Sequence, residues 1–302
     1  MYKILEQARQ LSLPSRDEML RRDPAVESFW HENETVLAQA WSQWEESEGI
    51  NLVDLFDDLL APELKQAVQA AWTDPTKETA VEALLKEVAP NVYACQIFNP
   101  ERLGQLRAYL EKVWDAQIPL RPPYGIVLNR KGAMLDQRSA GYLAAPSFQA
   151  FYRKLIDEYM RPISRLLFPE IVGYDSQSFG FSINYNPKTD TSIRPHTDAS
   201  AVTLNINLNL PNEEFTGSSV DFFDNNSKQT ISLNFEPGSA LFHRGNVPHA
   251  AQPILTGERT NFVFWLFGDR GTVPLATTRG GHIEAQKRWV LEQPQQDKSA
   301  PF

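Results

Sequence analysis

The sequence predicts a mainly β chain with flanking helices, a jelly-roll core behind an N-terminal helical segment. Three observations carry that expectation. From about residue 180 to 268, short apolar runs alternate with Gly, Pro, Asn and Asp clusters, the texture of strands and turns. Within this stretch the apolar Val202, Leu204, Ile206 and Leu208 alternate strictly with the polar Thr203, Asn205, Asn207 and Asn209. The first 92 or so residues instead repeat apolar side chains near helical spacing, as in Leu52, Phe56, Leu59, Leu60, Leu64, Val68 and Trp72.

Taken in order, residues 1–92 read as helical throughout. Asp23-Pro24 and Asp74-Pro75 each supply a cap followed by a proline, which opens a helix, and Pro62 breaks the run between them. Trp30, Trp41 and Trp44 are expected to bury against neighbouring helices. Residues 92–98 read as a strand, and Asn99-Pro100 caps the helix that follows. A proline-rich turn (Pro119, Pro122, Pro123) leads to a longer helix over 146–167, with its stripe on Phe148, Phe151, Tyr152, Leu155, Tyr159, Ile163 and Leu166 and a kink at Pro162. Strands are expected over 181–185, 201–210, 219–223, 230–235, 240–243, 249–252 and 261–267, a number and spacing that suit two packed sheets with a ligand-holding mouth. A loop, a short helix near 283–291 and a polar, disordered tail close the chain. Three segments follow: 1–91 as a lid, substrate platform or dimer surface, 92–270 as the jelly-roll domain, and 271–302 as a C-terminal extension.

Composition excludes several function classes. A net charge of −9 with no Lys/Arg cluster argues against a nucleic-acid surface. No apolar stretch approaches a membrane span or a secretory leader, so no membrane partner is expected. Cys95, the single cysteine, cannot form an internal disulfide and suits a reducing, cytoplasmic setting as a small core residue.

The chemistry concentrates in His196-Thr197-Asp198, His249 and Arg259, ten residues past His249. On a strand, residues i and i+2 share a face, so His196 and Asp198 can reach one ion from one short segment. Two imidazoles and one carboxylate hold one face of an octahedral metal and leave the other open, the ligand set of non-haem Fe(II) oxygenases. Arg259 offers a rigid bidentate fork for a carboxylate on a co-substrate. His243 is the internal rival to His249, but ten residues beyond it stands Pro253, which cannot hold an anion. It is therefore expected to pack at the turn ending in Gly245 or to support a ligand. Thr203 and Asn205, nearest the triad on the amide-bearing strand, are assigned to the ligand face. Asn207 and Asn209 suit that face or a solvated one. Arg194 and Arg121 are candidate anion contacts for a substrate, with surface ion pairs as the other reading. A cupin-like Zn²⁺ or Mn²⁺ lyase, isomerase or hydrolase would use the same three ligands but has no standing need for Arg259. A non-catalytic sensor of 2-oxoglutarate and iron is the third reading.

These residues resemble the Fe(II)/2-oxoglutarate-dependent oxygenase superfamily, in its prolyl/lysyl-hydroxylase-type branch. The stretch Pro195-His196-Thr197-Asp198-Ala199-Ser200-Ala201-Val202-Thr203-Leu204-Asn205 is similar to the corresponding strand of procollagen lysyl hydroxylases. Leu241-Phe242-His243-Arg244-Gly245, Pro248-His249-Ala250-Ala251, Gly257-Glu258-Arg259-Thr260-Asn261, Trp265-Leu266 and the run from Arg161 to Pro169 look like the family of 2-oxoglutarate and iron-dependent oxygenase domain-containing protein 2. The likeness covers residues 92–268. It implies a double-stranded β-helix with iron on His196, Asp198 and His249. It also implies that the far carboxylate of 2-oxoglutarate lies on Arg259 and Tyr185. The resemblance further implies that O2 is a co-substrate, that ascorbate is a candidate additional reductant, and that oxidative decarboxylation to succinate is coupled to hydroxylation or related C–H oxidation of a small-molecule or peptidyl substrate. Asp198 is a carboxylate where a halogenase must vacate a position. One departure stands out: Phe215-Thr216-Gly217-Ser218 carries a single glycine where the family often has a pair.

Overall fold

A computed structural model describes residues 2–21, 23–123, 131–224, 226–268 and 283–291. The tail beyond 291 and the loop after Arg270, both assigned from sequence, lie outside the described residues.

The helices are α1 (Lys3–Arg9), α2 (Arg16–Arg21), α3 (Pro24–Glu48), α4 (Phe56–Leu59), α5 (Pro62–Thr73), α6 (Thr79–Glu82), α7 (Leu103–Asp115), α8 (Pro146–Lys154), α9 (Arg161–Leu167) and α10 (Ala285–Arg288). Asp23 caps α3, its carboxylate accepting from Ala25 N, and Pro24 takes the first helical position as expected. Asp74-Pro75 opens only a 3₁₀ turn over Pro75–Lys77, while Pro62 breaks the run as expected, α4 ending at Leu59 and α5 beginning at Pro62. Asn99 caps a turn that precedes α7 rather than the helix itself.

Pro162 does not kink the long helix in the expected way. The chain winds as a π-helix over Leu155–Met160 between α8 and α9. Proline leaves the carbonyl four residues back without its helical donor. That carbonyl belongs to Glu158, and the Trp72 indole N–H donates to it at 2.9 Å. A wider turn and a tryptophan from α5 thus take up the defect.

The strands are β1 (Lys86–Ala89), β2 (Val92–Gln96), β3 (Ala133–Met134), β4 (Gln177–Tyr185), β5 (Ile193–His196), β6 (Val202–Asn207), β7 (Thr216–Gly217), β8 (Val220–Phe223), β9 (Thr230–Leu233), β10 (Ser239–Arg244), β11 (His249–Ala251), β12 (Ile254–Thr256) and β13 (Arg259–Phe267). They form a jelly roll whose pairings are all antiparallel: a seven-stranded sheet in the order β1-β2-β10-β6-β13-β4-β3, a four-stranded sheet in the order β5-β11-β8-β9, and the pair β12-β7. β1 corrects the reading of residues 1–92 as wholly helical. Its Lys86-Glu87-Val88-Ala89 lacks a strand pattern of its own and is strand because it pairs with β2 at the sheet edge.

The period of two divides the large sheet cleanly. Leu204, Ile206, Ala240, Phe242, Phe262 and Phe264 face a core shared with Trp30, Trp41, Trp44, Phe148 and Phe151 of the helices. On the opposite face, two smaller clusters lie between the sheets. One joins Val92, Leu241, Val220 and Phe222. The other joins Phe179, Ile183, Val263 and Trp265 with Ala251 and Ile254. The central strand β6 separates them, and its inward residues are polar.

Candidate active site

His196 and His249 are direct partners in the β5–β11 ladder, with ring centroids 4.3 Å apart. Phe222, opposite His249 on β8, stacks on its ring at 5.6 Å. Asp198 lies beyond the end of β5, so the shared strand face expected for His196 and Asp198 does not apply. Its backbone N–H instead donates to Gly245 O at 2.8 Å, which ties it to the turn after β10. Gly245 is required there, since a Cβ would stand 2.1 Å from Ser200 O.

The ring nitrogens have defined roles. His196 Nδ1 lies 2.7 Å from Arg194 O and His249 Nδ1 lies 3.0 Å from Val247 O. A carbonyl only accepts, so each Nδ1 carries the hydrogen and each Nε2 carries a lone pair. Those lone pairs converge on Asp198, at 3.5 Å from Oδ1 for His196 and 3.8 Å from Oδ2 for His249. The ligating atoms of His196, Asp198 and His249 all lie within 4.8 Å of one another. This donor set suits one divalent ion.

The electrostatics agree. Burial pushes the Asp198 carboxyl up, but the hydrogen bond from protonated His196, the His249 and His243 imidazoles and the Thr203 hydroxyl outweigh it and hold the group at about 2. Burial lowers His249, keeping it neutral and available to a metal. In the protonated imidazole His196 Nε2–H donates to Asp198, and this raises His196 against its partial burial. A proton there competes with the ion.

The same cavity, of about 50 Å³, is lined by Tyr185, Asn205, Thr203, Arg259 and His243 besides the triad, with Ile183, Val220 and Val263 among its apolar walls. Arg259, the first residue of β13, is 1 % exposed and pairs in register with Tyr185. Its guanidinium sits 4.5 Å over the Tyr185 ring and 5.4 Å from that of Phe235. Nη1 donates to Ser218 O, while Nε has no partner. Among the described residues no carboxylate pairs with it. A buried cation without an anion is costly.

Other assignments land differently. Thr203 reaches the site, but its hydroxyl donates to Asp198 Oδ2 at 2.5 Å and so supports the carboxylate. Asn205 lines the cavity and accepts from Asn261 Nδ2 at 2.6 Å. Asn207 and Asn209 are buried in an amide network with Asn261 and Glu258 O, which excludes the solvated reading. Arg194 is exposed on β5, and its carbonyl rather than its guanidinium touches His196. Arg121 is partly buried beside β3, its backbone bonded to Gly141 and Met134. Ser218, at the position of the missing second glycine, adopts φ +56°. Sequence reasoning missed the Ser218 carbonyl contact and Phe235. No pattern announces either.

Among the described residues, no helix is long and apolar enough to cross a membrane.

Residues 175–268 match the family described as the 2OG-Fe(II) oxygenase superfamily. The 2-oxoglutarate and iron-dependent oxygenase domain-containing protein ICU11 of Arabidopsis thaliana is 28% identical over 59% of this chain and 46% of its own length. The 2-oxoglutarate and iron-dependent oxygenase domain-containing protein 2 of Xenopus tropicalis is 30% identical over 70% of this chain and 59% of its own length. The chain thus matches only about half to three fifths of these relatives. A Pseudomonas putida prolyl-4-hydroxylase structure aligns with 67% of this chain and 98% of its own length, at 14% identity and a TM-score of 0.43.

Proposed function

From residues 175–268 as a 2OG-Fe(II) oxygenase domain, we propose that this chain is an Fe(II)- and 2-oxoglutarate-dependent dioxygenase. It would couple decarboxylation of 2-oxoglutarate to succinate with oxidation of a C–H bond in a small-molecule or peptidyl substrate. One observation carries the reading: the three metal-type donors share a cavity with a buried, anion-free guanidinium. His196, Asp198 and His249 would hold the iron. Arg259, stacked on Tyr185, would hold the far carboxylate of the co-substrate. Bound iron supplies the oxygen chemistry; the chain orients the co-substrate and keeps the pocket dry. Thr203 keeps one carboxylate oxygen of Asp198 hydrogen-bonded, and three backbone or hydroxyl contacts fix the ligand orientations before any ion arrives.

Arg259 disfavours the cupin-like lyase, which has no use for a carboxylate anchor. The finer placement in the cytoplasm rests on Cys95, whose thiol burial pushes up to about 12 and so keeps it unreactive. The helical segment 1–91 we read as a buttress and not a lid. Its tryptophans share the core on the face of the large sheet opposite the triad, and among its described residues the large exposed apolar side chains are Tyr2, Leu13 and Leu84.

The test is succinate formation from 2-oxoglutarate by Fe(II)-loaded protein in air without added substrate. Slow succinate production that needs both iron and O2 supports an oxygenase. A lyase or a silent sensor forms none.

A further inference from the structure

Between Asp198 and β6 the chain carries a second hydroxyl, that of Ser200, which the reading of the triad leaves unassigned. The backbone holds this turn from both sides. Asp198 N–H donates to Gly245 O at 2.8 Å, Gly245 N–H donates to Ala201 O at 3.3 Å, and Ala201 N–H donates to Leu266 O at 2.7 Å. A Cβ on Gly245 would stand 2.5 Å from Ser200 Oγ, so the bare backbone there leaves the hydroxyl its place. Ser200 Oγ then lies 2.9 Å from Thr203 Oγ1.

The direction of that bond follows from what Thr203 already does. Its hydroxyl hydrogen goes to Asp198 Oδ2 at 2.5 Å. A hydroxyl has one hydrogen and two lone pairs, so Thr203 Oγ1 accepts and Ser200 donates. Two hydroxyls therefore stand in series, Ser200 to Thr203 to Asp198, with each hydrogen pointing toward the carboxylate. A turn serine ordinarily bonds a neighbouring backbone group. Ser200 instead bonds a side chain that is itself bonded to a proposed metal ligand. Thr203 is 1 % exposed, so solvent has little access to take the place of Ser200. A lone hydroxyl is free to rotate. Donation from Ser200 removes that freedom, and by polarising the Thr203 O–H it strengthens the onward bond by about 10–30%.

Resting on the proposed metal site, we propose that Ser200 is a positioning residue for the metal, acting through Thr203 to hold the Asp198 carboxylate in one orientation. In that orientation Oδ2 takes the hydroxyl and Oδ1 lies toward His196 Nε2, at 3.5 Å. Ser200 itself lies off the cavity wall. Its effect is therefore on metal affinity and not on the co-substrate, and it passes entirely through the Thr203 hydroxyl.

The test is Mn(II) titration of the full-length protein, read by the paramagnetic resonance signal of the free ion, with Ser200→Ala, Thr203→Val and the double variant alongside. Ser200→Ala should weaken Mn(II) binding about threefold to tenfold, less than the 10-fold to 100-fold of a direct partner of a ligand. The double variant should bind within about twofold of Thr203→Val alone, because residues acting in one chain are not additive. A merely structural role for Ser200 loosens the turn in both backgrounds, so the two losses would multiply. Multiplied losses, or a Ser200→Ala affinity equal to the parent's, would overturn the proposal and leave the triad standing. A parent protein that takes up no Mn(II) would overturn the metal site and the proposal with it. Proton NMR of the metal-free parent needs no variant to fold: the Ser200 and Thr203 hydroxyl protons should both exchange slowly, with that of Thr203 shifted downfield by the carboxylate. A Ser200 hydroxyl proton that exchanges too fast to observe would overturn the relay.

Discussion

Replacing Arg259 by methionine separates what this residue does for the fold from what it does for the ligand. The side chain is 1 % exposed, with Nε unpartnered, Nη1 on Ser218 O and the Tyr185 ring 4.5 Å away. Losing one hydrogen bond costs about 1 kcal/mol and losing the cation–π contacts about 1–2 kcal/mol. Removing a buried cation that has no anion returns about as much or more, since buried charges exchanged for apolar groups of similar volume are neutral or stabilising by about 1–4 kcal/mol. The ligand-free variant should therefore melt within about 2–3 °C of the parent, or above it. Binding moves the other way. Loss of a charge-assisted, two-pronged contact in a buried site costs about 2–5 kcal/mol, which is roughly 30-fold to 4,000-fold in affinity. Calorimetric titration of 2-oxoglutarate into Mn(II)-loaded protein without oxygen, alongside thermal unfolding of the metal-free protein, measures both. Affinity within about threefold of the parent would refute the assignment of Arg259 to the co-substrate. A loss of several kcal/mol of stability with unchanged affinity would make it a structural residue.

Four further outcomes follow from the same geometry. Thr203→Val removes the hydroxyl that donates to Asp198 and should weaken Fe(II) or Mn(II) binding about 10-fold to 100-fold with little change in 2-oxoglutarate affinity at saturating metal, measured by titration. Metal affinity should fall with acidity: Asp198 raises His196 above its ordinary value of 6.5, and a protonated imidazole has no lone pair, so affinity is full above that raised value and lost as pH falls through it; a flat profile from pH 8.5 to 5.5 would contradict this. Ser218→Gly should stabilise by about 0.5–1 kcal/mol in denaturant titration, because serine sits at φ +56°. Gly217→Ala should cost more than about 2 kcal/mol in the same titration, with φ at +74° and the new Cβ 2.4 Å from Pro253 O.

Much of the site was legible because its chemistry fixes residue types at fixed spacings. His196, Asp198, His249 and Arg259 announce themselves that way, and the strict alternation of β6 correctly sets Thr203 and Asn205 on the cavity side. What stayed hidden depends on register. That His243 stands opposite Thr203, and so beside Asp198, follows from the pairing of β10 with β6, which no local pattern encodes. Pairing also turns the charged Lys86–Ala89 run into an edge strand. The shared-face argument for His196 and Asp198 reached the right neighbours by the wrong route, since a turn held by Gly245 brings the carboxylate in. At Pro162 the sequence marked the defect; only the fold shows that Trp72 repairs it.

The central claim is that one cavity holds a metal on His196, Asp198 and His249 and a carboxylate on Arg259. A crystal structure grown without oxygen, with Mn(II) and 2-oxoglutarate, tests it most directly through the anomalous signal of the metal. The account predicts a single strong peak bonded to His196 Nε2, an Asp198 oxygen and His249 Nε2, with the far carboxylate of 2-oxoglutarate paired to the Arg259 guanidinium. A peak on other residues, or a co-substrate whose far carboxylate avoids Arg259, would contradict it.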